Sequence, residues 1–380
     1  MLGCNHLGGK HMKTLAAISY ESGKPMLIEE LELDEPKSDD VLVKMTAAGL
    51  CHSDYHALVG NRPVGMRPMV LGHEGAGVVV KVGDGVDNIH VGDHVVLMFL
   101  PSCGKCRWCL AGDTHACVLG PTIAKGPQPD GGYRMHTQNG LDVGQFCLLG
   151  AFSQYTIVHK QSVCVIDKKI PLEVACLVGC GVVGGWGAAV NRAGITPGSS
   201  VLVIGAGGIG TNIIQGAVSV NASMIIAADR FDQKLTWSRS FGATHTINTD
   251  KENLVERVME LTDNRGVDYA FEAISRPETI AMAFDATAKL GKVVVVGLTP
   301  SHFDSIPISP LNLVLTQKTL MGSIYGTSNA RIEIPKLLYM YKRGQIKLDE
   351  LITNTYSLNE INQGYDDLLA GKNIRGVVKF

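Results

Sequence analysis

Apolar and polar positions along the chain follow two rhythms. From Thr14 to about Val178 the apolar residues come in short segments punctuated by glycine, as in DDVLVKMTAAG, HEGAGVVVKVGDGV, VGDHVVLM and FSQYTIV. Such segments, joined by GD and DG turns, predict an irregular, mostly β domain. Between Asp113 and Gln145 apolar periodicity fades and Gly, Pro, Gln and Asn accumulate, which predicts a long surface loop. After Thr196 strand-like SVLVIG, MIIAAD, THTIN, VDYAFEA and KVVVVG alternate with helix-like stretches after Gly208, FDQKLTWSRSFG, NLVERVMEL and PETIAMAFDATA. That alternation predicts a parallel sheet wrapped on both faces. Beyond about Gly322 come helix-like IPKLLYMYKRG and EINQGYDDLLAG, then strand-like RGVVKF. The uncharged run Val201–Val220 is long enough to suggest a membrane span, but its five glycines with Thr211, Asn212, Gln215 and Ser219 predict a buried strand, a glycine turn and a helix.

Composition narrows the function. A length of 380 residues predicts two domains, and a net charge of −2 with no basic stripe excludes nucleic acid and membrane surfaces as partners. Small molecules and other subunits remain. Ten cysteines in a long chain with 45% hydrophobic residues and no secretory start predict a reducing cytoplasm. The opening MLGCNHLGGKHM lacks periodicity, and its His11-Met12 pair looks like a cloning junction, so residues 1–12 are expected to be a vector-derived leader.

VLVIGAGGIG carries GxGxxG as Gly205, Gly207 and Gly210, with Gly208 and Ile209 inside the turn, directly after an apolar strand. The first glycine allows the tight turn, the second lets a pyrophosphate approach the backbone, and the third lets helix and strand pack closely. MIIAAD then places Asp229 at the end of the next strand, where a carboxylate can accept hydrogen bonds from ribose hydroxyls. Asp229 would repel a 2′-phosphate, so NAD is expected over NADP; the adjacent Arg230 is the contrary sign.

PSCGKCRWCLAGDTHAC supplies Cys103, Cys106, Cys109 and Cys117. Four thiolates so close can surround one tetrahedral ion and leave no position for water, which predicts a structural zinc, with an iron–sulfur cluster as the alternative. GLCHSDYH packs Cys51, His52, Ser53, Asp54 and His56 into one stretch; GHEGAG holds His73 and VGCGV holds Cys180. Two thiolates and one imidazole would neutralise Zn²⁺ and leave a fourth position open. Spacing alone leaves that triad open.

GLCHSD, GHEGAG, the CGKCRWC lobe, VGCGV, VLVIGAGGIG and the terminal NIRGVVKF resemble, in the same order and over nearly the whole chain, the zinc-dependent alcohol dehydrogenases of the medium-chain dehydrogenase/reductase superfamily. More narrowly, LLGAFSQYTIV, VGCGVVGGWGAAV and INQGYDDLLAGKNIRGVV resemble the actinobacterial nitrosoaniline-dependent group, a nicotinoprotein type that holds its nicotinamide tightly. The resemblance implies an α/β fold. A doubly wound Rossmann domain at 183–322 would sit beside a β-rich, chaperonin-10-like (GroES-like) catalytic domain built from 13–182 and 323–380. It implies two zinc ions per subunit, NAD, and a homodimer or homotetramer that interconverts an alcohol and its aldehyde or ketone.

Roles carry over where residues match. Cys51, His73 and Cys180 would bind catalytic zinc, with Glu74 behind it as an occasional ligand and Asp54 orienting His73. Ser53 would take the alcohol proton and pass it through the cofactor ribose toward His56. His52 and Arg375 would face the pyrophosphate, Lys234 would help Asp229 hold the adenosine ribose, Ile209 would press on the nicotinamide, and Phe99 would line the substrate pocket. His56 and Lys234 also read as ordinary surface residues, and Phe99 as core. Where many relatives have a threonine after the second zinc cysteine, this chain has Val182, Val183 and Gly184, and its 121–145 stretch is long. A thiol-adduct-dependent formaldehyde dehydrogenase is the nearest rival activity. A non-catalytic NAD- and zinc-binding regulator is the rival of another class.

Overall fold

In the computed structural model, residues 12–380 are described; the leader expected at 1–12 lies outside them except for Met12, which begins the first strand. The first part of the chain forms β1 (Met12–Ser19), β2 (Leu27–Leu33), β3 (Asp40–Gly49), β4 (Met69–Val70), β5 (Gly75–Val82), β6 (His94–Leu97), β7 (Met135–His136), β8 (Asp142–Gln145), β9 (Tyr155–His159) and β10 (Val163–Ile166). Five of these close a barrel in the order β1-β2-β7-β8-β4. β3, rich in valine and alanine and buried along nearly its whole length, pairs antiparallel with β5, and the two form the centre of a second sheet.

The stretch expected to be a surface loop between Asp113 and Gln145 instead supplies two barrel strands. Met135 and Val143 are fully buried, and Arg134 turns inward to pair with the equally buried Asp40, its Nε 2.5 Å from Oδ2. Strands of two and four residues are too short to show a period, so their burial left no mark in the pattern.

The second part carries β11 (Ser200–Ile204), β12 (Met224–Asp229), β13 (His245–Asn248), β14 (Val267–Glu272), β15 (Thr287–Val295) and β16 (Thr319–Gly322). They form one parallel sheet in the order β13-β12-β11-β14-β15-β16, with helices between successive strands. This is the doubly wound arrangement, whose strand order reverses beside β11, where the glycine turn emerges. β17 (Ile352–Ser357) and β18 (Arg375–Lys379) then return to the other sheet, β18 pairing antiparallel with β3.

The uncharged run Val201–Val220 is, as expected, β11, a turn and the helix Gly208–Ser219. Among the described residues, one helical run, Leu172–Ala193, is long and apolar enough to cross a membrane, and 89% of its most apolar window is buried inside the protein. That run holds Cys180.

Candidate active site

Three separated segments deliver the site. Cys51 follows β3 and caps the helix His52–Val59 in an extended conformation. His73 and Glu74 lie in the short connection between β4 and β5, and Cys180 sits in a widened helical turn at Val178–Val182, a feature frequent at functional sites. One ligand atom from each of Cys51, His73, Glu74 and Cys180 lies within 4.8 Å of the others. Nδ1 of His73 is 2.9 Å from Oδ2 of Asp54, whose other oxygen accepts from the Gly72 amide at 2.9 Å. This anchoring leaves Nε2 of His73 for the cluster. The edges of Phe99 and Phe146 face the His73 ring, with centroids 5.5 and 6.0 Å away, and keep its surroundings apolar.

The electrostatics fit a cation. Cys180 donates to Cys51, and His73 and Arg375 add to that against the cost of burial, so the Cys51 thiol is held well below its ordinary pKa; Cys180, the donor, is raised. Burial pushes the Glu74 carboxyl up to about 7, with the Arg375 guanidinium limiting the rise. Glu74 Oε1 is buried without a hydrogen-bond partner. Two sulfurs, one imidazole and a carboxylate in reserve form a donor set suited to zinc.

The second cluster, Cys103, Cys106, Cys109 and Cys117, also meets within 4.8 Å. Backbone amides point at its sulfurs: Cys103 N to Cys117 at 3.3 Å, Cys106 N to Cys103 at 3.4 Å, and Cys109 N to Cys106 at 3.5 Å. Amide donors stabilise thiolates, and those of Cys109 and Val118 bring Cys106 down to about 6. With all four positions occupied by sulfur, the set closes around one tetrahedral ion.

Residues 37–168 match the alcohol dehydrogenase GroES-like domain family, and residues 208–342 the zinc-binding dehydrogenase family. The chain is 44% identical over 369 residues to the NDMA-dependent alcohol dehydrogenase of Amycolatopsis methanolica, covering 97% of this chain and 99% of that protein. It belongs to the zinc-dependent alcohol dehydrogenases. Within this family it is also 38% identical over 378 residues to S-(hydroxymethyl)glutathione dehydrogenase of Saccharomyces cerevisiae, covering 98% and 97% of the two chains. The crystal structure of benzyl alcohol dehydrogenase from Acinetobacter calcoaceticus superposes with a TM-score of 0.91 at 32% identity, covering 97% and 99%. A zinc alcohol dehydrogenase uses zinc and NAD, and the geometry around the glycine turn bears on the second.

Gly205 adopts a positive φ of 99° at the end of β11, and Gly210 packs so tightly on it that a Cβ there would lie 2.9 Å from the Gly205 carbonyl carbon and nearer still to its oxygen. Asp229 ends β12 as expected, but it also braces the turn, accepting from the Ala206 amide at 2.9 Å and the Phe231 amide at 3.1 Å. Lys234 is half-buried with its ammonium 5.1 Å from the Phe231 ring centroid, and burial lowers its pKa. Ile209 packs against the position of Gly184, where a Cβ would meet its Cδ1 at 3.3 Å.

Arg375 is 4% exposed, donates to Glu74 and to the Leu50 carbonyl, and lies against Gly208 at the start of the turn helix. It thus joins the ligand cluster to the glycine turn, a contact between Glu74 and Arg375 that the separate motifs gave no means of pairing. His52 stands exposed at the amino end of its helix. Ser53 and His56, three apart on that helix, both line a pocket of about 190 Å³ between the two sheets' loops. The sequence reading missed Phe146, Arg62 and Leu298. Phe146 and Arg62 fall outside any period, whereas the GLTPS turn after β15, with Leu298, carried a signal as the end of a parallel strand.

Proposed function

We propose that Cys51, His73 and Cys180 hold the catalytic zinc, with Glu74 in reserve, that Cys103, Cys106, Cys109 and Cys117 hold a structural zinc, and that Ser53 and His56 carry the alcohol proton away. The convergence of four ligand groups within 4.8 Å supports this most directly. When bound, zinc supplies the Lewis acidity that lowers the pKa of an alcohol hydroxyl, and NAD accepts the hydride. Asp54 fixes the His73 tautomer and ring, while Phe99 and Phe146 exclude water from that side. Burial, with Arg62 adding to it, holds His56 below its ordinary pKa, so at neutral pH the ring is neutral and able to accept a proton. Asn61 Nδ2 lies 3.4 Å from His56 Nδ1 and fixes that ring's position at the pocket wall. Asp229 and Lys234 hold the adenosine ribose, His52 and Arg375 face the pyrophosphate, and Ile209 packs on the nicotinamide.

The substrate is a small-molecule alcohol or aldehyde, and NAD stays bound between turnovers, the NADH formed being reoxidised in place by a second, electron-accepting substrate; the similarity to an enzyme named as NDMA-dependent supports this. Denaturing the purified protein and assaying the supernatant tests this: stoichiometric nicotinamide supports retention, and none refutes it. A thiol adduct of formaldehyde is the rival substrate, and a strong rise in activity on adding thiol would favour it.

The subunit pairs with itself through β16, an edge strand bonded on one side only, beside which Leu311, Val314 and Leu315 are about two-thirds exposed. Two identical edges joined antiparallel about a two-fold axis cover both the open backbone and these side chains. Sedimentation of wild type against Val314→Asp tests it; an unchanged mass would refute this contact. Ten cysteines in a long, hydrophobic-rich chain support a cytoplasmic location, where thiols stay reduced.

A further inference from the structure

The pocket of about 190 Å³ beside Ser53 and His56 is walled on its far side by Arg62, and none of its lining residues carries a carboxylate. Arg62 is held by its backbone, its amide donating to the His56 carbonyl at 3.0 Å, and the neighbouring Asn61 carbonyl accepts from the Ser301 amide at 3.3 Å across the cleft. Its guanidinium lies 5.7 Å from the Phe146 centroid, and the His73 ring lies 6.0 Å from the same centroid. The cation and a residue of the ligand cluster therefore share one aromatic neighbour. Among the described residues no ion pair or side-chain hydrogen bond occupies this guanidinium, whereas buried Arg134 pairs with Asp40 and buried Arg375 with Glu74. A half-buried guanidinium gains most from a planar anion that it can grip with two parallel N–H donors.

We propose that Arg62 recognises a carboxylate at the far end of the substrate, so that the preferred substrates are alcohols bearing an anionic group remote from the hydroxyl carbon, as across a benzene ring. The inference rests on the alcohol-binding reading of this cleft. Leu298 supplies an apolar wall for the intervening carbons, and Thr299 and Ser301 add hydroxyls at the anionic end.

The test compares 4-(hydroxymethyl)benzoate with 4-methylbenzyl alcohol, its neutral counterpart, on the full-length, zinc-loaded enzyme. Binding is measured by calorimetry on enzyme whose bound cofactor has been reduced to NADH, where the alcohols cannot react, and turnover with an added electron acceptor. Wild type is expected to favour the benzoate by about 10- to 100-fold, in Kd and KM rather than in kcat. Arg62→Met should abolish that preference and Arg62→Lys should keep part of it, with zinc content equal to wild type showing an intact site. Equal or weaker binding of the benzoate by wild type would overturn the proposal. So would an Arg62→Met enzyme whose preference matches wild type while kcat falls on both alcohols, since Arg62 would then act only on His56. Absence of turnover on 4-methylbenzyl alcohol counts against the alcohol-site reading itself, whereas the charge preference is read from binding.

Discussion

Replacing Asp54 by asparagine removes one charge and almost no volume, yet it should weaken the catalytic metal site. Asp54 is fully buried; one carboxylate oxygen accepts from the Gly72 amide at 2.9 Å, and the other makes an ion-pair contact of 2.9 Å with Nδ1 of His73. An asparagine has one acceptor and one NH₂ group. Facing its oxygen to Gly72 sets NH₂ against Nδ1–H; the reverse sets NH₂ against the Gly72 amide. Either leaves a buried donor unsatisfied, at about 1–3 kcal/mol, or drives the proton to Nε2 and removes His73 as a ligand. Loss of the carboxylate behind a metal-bound histidine independently predicts about a 10- to 100-fold fall in metal affinity, or about 1.4–2.7 kcal/mol. The two routes agree in size. The assay follows zinc content and kcat/KM during titration with a competing chelator, the Cys103–Cys117 cluster serving as an internal control. Loss of both catalytic zinc and activity at about 10- to 100-fold lower chelator is expected. A titration curve and kcat/KM equal to wild type would refute the claim that Asp54 positions His73.

Gly210→Ala should lower NAD affinity by tenfold or more, because its Cβ collides with the Gly205 carbonyl and opening that turn costs about 1–3 kcal/mol; unchanged affinity by calorimetry would contradict the packing. The alcohol-oxidation rate should hold steady as pH falls from 8 to 6.5 and decline only below that, since His56 must be neutral to accept the proton and its pKa is lowered from 6.5 by burial. His56→Gln should slow the reaction and erase this limb, and a wild-type decline centred above 6.5 would exclude His56 as its source. Arg134→Met leaves Asp40 buried without its cation and should cost about 3–5 kcal/mol of stability in denaturant unfolding. A loss below 1 kcal/mol would mean that the 121–145 segment is not anchored as described.

Much of the fold was legible because its signals are local. β11, the turn and the helix from Gly208 follow from one apolar run with glycines at the right spacing, and Asp229 falls at the end of β12 as the pattern required. The stretch VGCGVVGGWGAAV was harder, since five glycines read as a turn, yet it is helical through Val178–Ala193. Its glycines allow close approach: a Cβ at Gly185 would lie 2.7 Å from that of Asn212 on the neighbouring helix. Tertiary packing here overrides propensity. The site divides in the same way. Cys51, His73 and Cys180 stand in recognisable motifs, whereas the Glu74–Arg375 pair joins residues 301 apart in sequence and needed the return of β18 to β3. Arg62, a lone arginine between an asparagine and a proline, had nothing in its surroundings to distinguish it from a solvated charge.

Zinc content of wild type and Cys51→Ala, measured by elemental analysis on protein never exposed to chelator, tests the central claim most directly. Wild type should carry one zinc in each of its two ligand clusters. The variant should keep the Cys103–Cys117 zinc, lose the other, and oxidise alcohols at a rate near background. A variant that retains both ions and full activity would contradict the assignment of Cys51, His73 and Cys180 as the catalytic metal site.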